Sequence, residues 1–443
     1  MKARLQKALV ALREAFWLLP GAMTIGGVLL AVALVQVDEV GSLSAWLKGS
    51  SWIYYGGAKG ARTLLGAVAS STIGVAGTVF SITIAALSLA ANQMGPRLLR
   101  NFTRDRGNQF TLGTFLGTFA YALTVLRAVR SPEEGGFVPH LSLSIGIMLA
   151  LLCVGALVYF VDHMAGRINV DTVIGLVSED IRAALEASTM RLPQPEPPPA
   201  VFWREATTLI DPRWGYLQQF DNQGLARWCV RNGVALRLLV RPGDYLFPGA
   251  PIALAIGNAE GAEAVIRKAT ALGRVRDESP DMEFAVRQLV EVAVRALSPS
   301  INDPHTAMSV VNRLGDALCR LAPLHLPTGV SQCDGKPVLV IPSIDYDQLL
   351  DLMFDMIRQN GSHSPSLLAH MLSVLTIVSS CEHRDNRVAA LRRHADLVLA
   401  TASNAIAMAE DLDAIRKRHG AFEAMAEHGV TGCLERLETR KSK

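Results

Sequence analysis

Charge is what this chain has least of. Only 19% of its 443 residues are Asp, Glu, Lys or Arg, and from Thr63 to Pro96 there is no ionisable side chain at all. With half its residues hydrophobic, the composition excludes an ordinary water-soluble protein of this size, and a membrane part is expected. Charge of one sign is missing too. The formal net charge is +3 and no run of Lys and Arg is interleaved with aromatics, so nucleic acid is not expected as a partner. No Gly-x4-Gly-Lys-Ser/Thr loop, His-Glu-x-x-His pair or Gly-x-Ser-x-Gly elbow occurs. Neither enzymatic activity nor a metal or other cofactor is therefore expected. The six cysteines form no Cys-x-x-Cys pair, and five of them follow the last apolar segment, which fits reduced thiols in a cytoplasm.

What is present in quantity is apolar sequence. Segments at about 16–37, 64–91, 110–129 and 141–161 are each long enough to cross a bilayer as a helix. The second is the longest: a helix over Thr63–Pro96 would measure roughly 50 Å against about 30 Å of hydrocarbon, so it must tilt, bend or continue into water. Basic residues follow it at once, Arg97, Arg100, Arg104 and Arg106, and Lys2, Arg4, Lys7 and Arg13 precede the first segment. Positive charge inside then places both termini in the cytoplasm and Trp46, Trp52, Tyr54 and Tyr55 in the first outer loop. Arg97, Arg100, Arg104 and Arg106 form an inner-face basic cluster, which is either this orientation signal or a contact for anionic lipid.

Beyond the fourth segment, Ile168 to Ser188 carries apolar residues at helical spacing, an amphipathic helix leaving the membrane. Residues 191–200 (RLPQPEPPPA) lack the N–H groups that a helix or sheet needs and predict a stiff, extended linker. From 210 to 258, short alternating runs separated by Arg-Pro-Gly-Asp and Pro-Gly-Ala-Pro turns read as a small β-barrel or sandwich. Its outline is that of lipoyl and biotinyl carrier domains, but no lysine lies between Val201 and Arg267, which excludes carrier chemistry. Helices follow from Ala262, including one capped by Asp303 with Pro304 at its first position, and others at about 345–359, 365–381, 384–410 and 412–439. The expected organisation is an integral membrane α-helical domain (1–165), an amphipathic helix and Pro-rich linker (166–200), a β module (201–258) and a helical bundle (259–443), the last three forming a cytoplasmic α+β region.

Three groups of residues are candidates for function. Gly66, Ser70, Gly74 and Thr78 recur every four residues, with Ser81 close by, so they share one helix stripe that is either a helix-packing surface or a pore lining. Asn302, Asp303 and His305 fall together in one turn, as a ligand site would, although a tight helix–helix turn with an Asx cap is the favoured reading. His383 and His394 could share a face with Cys381 and bind metal, but they lack a compact ligand spacing.

The blocks VFSITIAALSLAANQMGPRLLRNF (79–102), LGTFLGTFAYALTVLRAV (112–129), VALRLLVRPGDYLFPGAPIA (234–253) and FAVRQLVEVAVRALSPSINDPHTA (284–307) are similar to a family of bacterial membrane proteins designated domain of unknown function 2254. The resemblance implies an integral inner-membrane protein with four N-terminal spans and carries over no catalytic residue. Together these readings favour a homo-oligomeric channel or passive transport protein, with the second span lining the pathway and the cytoplasmic region gating it. The absence of charge within the spans disfavours ion-coupled transport. The alternative is a membrane-anchored scaffold or regulator that binds a cytoplasmic protein.

Overall fold

The computed structural model describes residues 16–40, 57–94, 105–131, 136–167, 170–274 and 282–441. The chain divides into two compact units, Met1–Val173 and Ile174–Lys443.

The first unit is built from four long apolar helices, α1 (Leu18–Val40), α2 (Ala58–Met94), α3 (Arg106–Ala128) and α4 (His140–Arg167). Each is long and apolar enough to span a membrane, as hydropathy predicts. Their outward faces carry Ile25, Leu29, Phe80, Ile84, Leu151, Val154 and Val158, all exposed, which is the pattern of a protein whose surroundings are lipid. α3 is the central helix: 56% of its membrane-length window is buried within the unit, against 11% for α1 and 28% for α2 and α4. α3 accordingly carries the polar residues that lipid would not tolerate, with Asn108, Gln109, Thr111, Thr114 and Thr118 all buried. One apolar cluster joins Ala31, Leu65, Ala69, Tyr121, Val125 and Leu143; a second joins Ala76, Val79, Phe115, Cys153 and Phe160.

Close helix approach occurs between α1 and α3. A Cβ added to Gly27 would collide with the carbonyl of Gly117, and one added to Gly117 would lie 2.9 Å from the Met23 carbonyl oxygen. At α4, the Asp38 carboxylate accepts hydrogen bonds from the Leu141 and Ser142 N–H groups (3.1 and 2.9 Å) and from the Ser142 hydroxyl (2.7 Å), which ties the end of α1 to the start of α4.

The second unit begins within α5 (Val170–Ser188), whose apolar stripe Val173, Ile174, Val177, Ile181 and Leu185 is buried. The proline-rich stretch that follows is extended, as its composition dictates, and it is fastened down. Met190 and His325 exchange backbone hydrogen bonds (3.0 and 2.8 Å), and Thr328 donates to Gln194 Oε1 and Pro195 O (3.0 and 2.7 Å).

The β region is not a closed barrel. Its strands are β1 (Thr207–Ile210), β2 (Gly215–Phe220), β3 (Ala235–Leu238), β4 (Tyr245–Leu246), β5 (Pro251–Ile256), β6 (Thr270–Gly273), β7 (Val330–Cys333) and β8 (Lys336–Val340). They form a five-stranded sheet in the order β1-β5-β3-β8-β7 and a three-stranded sheet in the order β4-β2-β6. β3 and β8 run parallel, Leu236 opposite Leu339, while all other pairs are antiparallel. The first sheet thus takes two strands from the turn-rich insert between helices. Closure also fails because 222–232 is a helix, α6 (Asn222–Asn232), capped by Asp221 and ended by left-handed Gly233 (φ 62°). Leu209, Leu217, Leu225, Leu236, Leu238, Ile252 and Leu339 form the core.

The remaining helices are α7 (Ala262–Ala269), α8 (Met282–Ala296), α9 (Pro304–Leu321), α10 (Tyr346–Asn360), α11 (Pro365–Cys381), α12 (Asp385–Ala405) and α13 (Ala409–Lys441). α8 to α13 make a bundle in which α9 packs on α8 and α11, α10 on α8 and α12, and α13 on α11 and α12. Leu289, Leu314, Leu318, Phe354, Leu368, Leu372, Leu391 and Phe422 are fully buried between them.

Candidate functional site

The small-residue stripe of α2 faces away from the rest of its unit. Ala61, Leu65, Ala69, Thr72, Ala76, Val79 and Thr83 turn inward, and this leaves Ser70, Gly74, Thr78 and Ser81 exposed and Gly66 half-buried. A Cβ added to Gly66 or Gly74 would meet nothing within 4 Å. Two hydroxyls on this face are satisfied within the helix, Thr78 donating to Gly74 O (3.2 Å) and Ser81 to Gly77 O (2.9 Å). The surface is therefore smooth, uncharged and internally hydrogen-bonded, compatible with lipid and equally able to receive another helix at short range.

The N-terminal end of α3 carries a polar constellation. Asp105 caps α3 by accepting from the Gly107 N–H (2.7 Å), and both its oxygens lie within 2.9 Å of His163 Nε2 on α4. The His163 ring stacks on Tyr159 at 5.3 Å, and Gly107 leaves the space that both rings need. Sequence spacing singles out neither Asp105 nor His163. The cue for a pair, an Asp at a cap position opposite a His, becomes visible once α3 and α4 are neighbours. Further along α3, the Cys153 thiol of α4 lies 3.3 Å from the Thr118 hydroxyl, while Asn108 Oδ1 and Thr111 Oγ1 are buried without a partner among the described residues. Of the basic cluster, Arg106 opens α3 and is exposed, whereas Arg97, Arg100 and Arg104 lie outside the described residues, as do Trp46, Trp52, Tyr54 and Tyr55.

In the 298–306 turn, Asp303 serves the helix that follows it. Its carboxylate accepts from the Thr306 N–H (3.1 Å) and hydroxyl (2.6 Å), and these bonds hold its pKa below the usual carboxylate range. Asn302 takes a left-handed backbone (φ 49°) at the surface, and His305 is exposed. The histidines of the metal reading are not alike. His394 is fully buried with Nε2 3.1 Å from Asp351, whereas His383 and Cys381 are exposed. Asp351, Asp355 and His394 do offer ligand atoms within 4.8 Å of one another, a grouping that no sequence spacing revealed. Arginines occupy it: Arg393 Nη2 lies 2.6 Å from Asp351 and Arg358 Nη2 3.1 Å from Asp355. Burial, reinforced by Arg393, keeps the His394 pKa below its ordinary value.

A family model described as a predicted membrane protein, DUF2254, matches residues 13–376. The chain belongs to that family. Its relatives include uncharacterized protein MT1328 of Mycobacterium tuberculosis and uncharacterized protein Mb1321c of Mycobacterium bovis, each 32% identical over 353 residues that make up 75% of this chain and 66% of the relative. The chain thus spans 66% of the length of the curated relatives it matches. No solved structure matches it significantly. This member of the DUF2254 family is a membrane protein with four apolar spans and an α+β unit that follows them.

Proposed function

We propose that the protein is a homo-oligomeric channel or passive transport protein of the bacterial inner membrane, in which copies of α2 meet through their small-residue stripes and surround the pathway. One observation carries this reading. The small and hydroxyl-bearing stripe of α2 turns outward, and a Cβ added to Gly66 or Gly74 on it would meet nothing within 4 Å among the described residues. Small residues at four-residue intervals are the surface on which membrane helices approach most closely. Without an ionisable group on that face, coupling to a proton or ion gradient has no titratable element, so the path is passive. Clustered arginine beside the second span and at the N-terminal arm puts both termini in the cytoplasm, together with the α+β unit that gates the path. No catalytic role is assigned to any residue.

The test is flux in liposomes combined with cross-linking. Protein reconstituted at low density should pass small ions, and Thr78→Leu or Ser81→Leu, which fill the face without touching the core, should reduce that flux by about tenfold or more. Gly74→Cys should give disulfide-linked dimers under oxidation. A chain that purifies as a monomer, passes no ion and does not cross-link at Gly74 overturns the reading and leaves the scaffold function in its place.

A further inference from the structure

The second unit contains a groove of about 700 Å³ whose lining combines chemistries that the preceding sections leave unused. Its floor is the end of the parallel pair β3 and β8, with Arg237 and Val340 opposite each other. One wall is the fastened proline-rich segment, and another is the start of α10 and α12. Carboxyl ends of parallel strands are where open α/β sheets place ligands, and the volume is that of a nucleotide-sized molecule.

The charges on the lining are unequal in availability. Arg387 is spent: it is buried, donates to Glu382 Oε2 (3.0 Å) and stacks 4.7 Å from the centre of the Tyr346 ring. Glu382 is spent with it, and also accepts from the His383 and Arg384 N–H groups (both 3.1 Å). Arg384 donates to the Ala322 and Leu324 carbonyls (2.9 and 3.1 Å) and lies 3.2 Å from His325 Nε2, its nearest carboxylate contact with Glu382 being 3.9 Å. Burial, Arg384 and Arg387 all press the His325 pKa down, so His325 accepts from Arg384 as a neutral ring and adds no charge. Two carboxylates reach the groove. Asp345 is engaged in capping α10 through the Gln348 N–H (2.8 Å), and Glu196 is exposed on the proline-rich wall.

Arg237 is different. It is half-buried on β3 between Leu236 and Leu238, and among the described residues its guanidinium has neither a carboxylate nor a hydrogen-bond partner. Tyr346, 7% exposed, also lines the groove with its hydroxyl unpartnered among the described residues. A half-buried guanidinium costs free energy unless an anion pairs with it. α12 adds to the field, since Arg384 at its N-cap makes no side-chain cap and the positive end of a 21-residue helix opens beside Asn386.

The geometry points to a binding site for a phosphate-bearing small molecule, with Arg237 as the anchoring cation, Arg384 and the α12 N-terminus completing the charge, and Leu326, Pro327, Ile341 and Pro342 accepting an apolar body. The proline-rich segment follows α5 within this unit, so such a ligand would rest against a stretch already fastened by His325 and Thr328.

Titration calorimetry on the full-length protein in detergent, with ADP, inorganic pyrophosphate and adenosine as probes at low salt, tests the site. ADP and pyrophosphate should bind saturably and adenosine should not, with affinity falling as salt rises. Arg237→Gln should weaken binding by about tenfold or more, Arg237→Lys by less, and His305→Ala, remote in the fold, not at all. Unchanged thermal unfolding of Arg237→Gln shows that the loss is local. Absence of binding by both charged probes, equal binding of adenosine, or full affinity in Arg237→Gln overturns the proposal. None of these results depends on whether the spans conduct.

Discussion

At the scale of single residues, Gly27 and Gly117 show how little room the membrane unit leaves. A methyl group on Gly27 would have to displace the backbone of α3, because the obstructing atom is a carbonyl and not a flexible side chain. Gly27→Ala should therefore lower stability by about 1–3 kcal/mol, the usual cost of overpacking. Gly155→Ala on exposed α4, where an added Cβ meets nothing within 4 Å, should leave the thermal midpoint in detergent unchanged or raise it. Equal midpoints for the two variants would refute the close α1–α3 contact. Sequence reading looked for such a contact on α2, where the four-residue repeat is regular. α3 carries the same four-residue spacing at Gly113 and Gly117, both packed on α1, but the partner of a glycine is legible only when both helices are in place. Candidate residues were readable to a similar degree. Asp303 announced its capping role by standing before Pro304, but the Asp105–His163 pair and the unpartnered Arg237 depend on chain segments far apart in sequence.

At the scale of elements, α9 illustrates a helix whose start is written in one side chain. Asp303 accepts from both donors of Thr306, and Asp303→Ala should cost about 1 kcal/mol. The pH dependence has a definite sign. The folded carboxyl titrates below its unfolded value, so its contribution is fully present above about pH 4 and disappears as pH falls through the folded pKa. Urea midpoints of wild type and variant should differ at neutral pH and converge on acidification; a constant difference would show that the charge of Asp303 contributes nothing. The four spans were legible because lipid demands long uninterrupted apolar runs, and the bundle helices because their apolar period is 3.6. α6 escaped detection between two strand-like runs, although Asp221 before it and Gly233 after it are ordinary helix boundaries. Of the barrel and sandwich readings, the barrel fails, because alternation reveals which face of a strand is buried and not which strand lies beside it.

At the scale of the whole molecule, the two units have separate cores, and the second contains every described strand and the bundle. Residues 170–443 expressed without the spans should therefore unfold cooperatively in urea with helical circular dichroism; a gradual, non-cooperative loss of signal would show that this unit depends on the membrane part. The pairing of β3 with β8 also has a consequence in time. β3 is synthesised long before β8, with α8 and α9 between them, and at roughly 5–20 residues per second the ribosome needs on the order of ten seconds to deliver the missing strand. Throughout that interval one edge of β3 is an open template for other chains. A nascent protein halted before residue 340 is already threaded through the bilayer, so it presents that edge tethered at the membrane surface, where neighbouring copies are concentrated. Premature termination in this stretch should produce membrane-bound aggregates and chaperone recruitment instead of a soluble fragment.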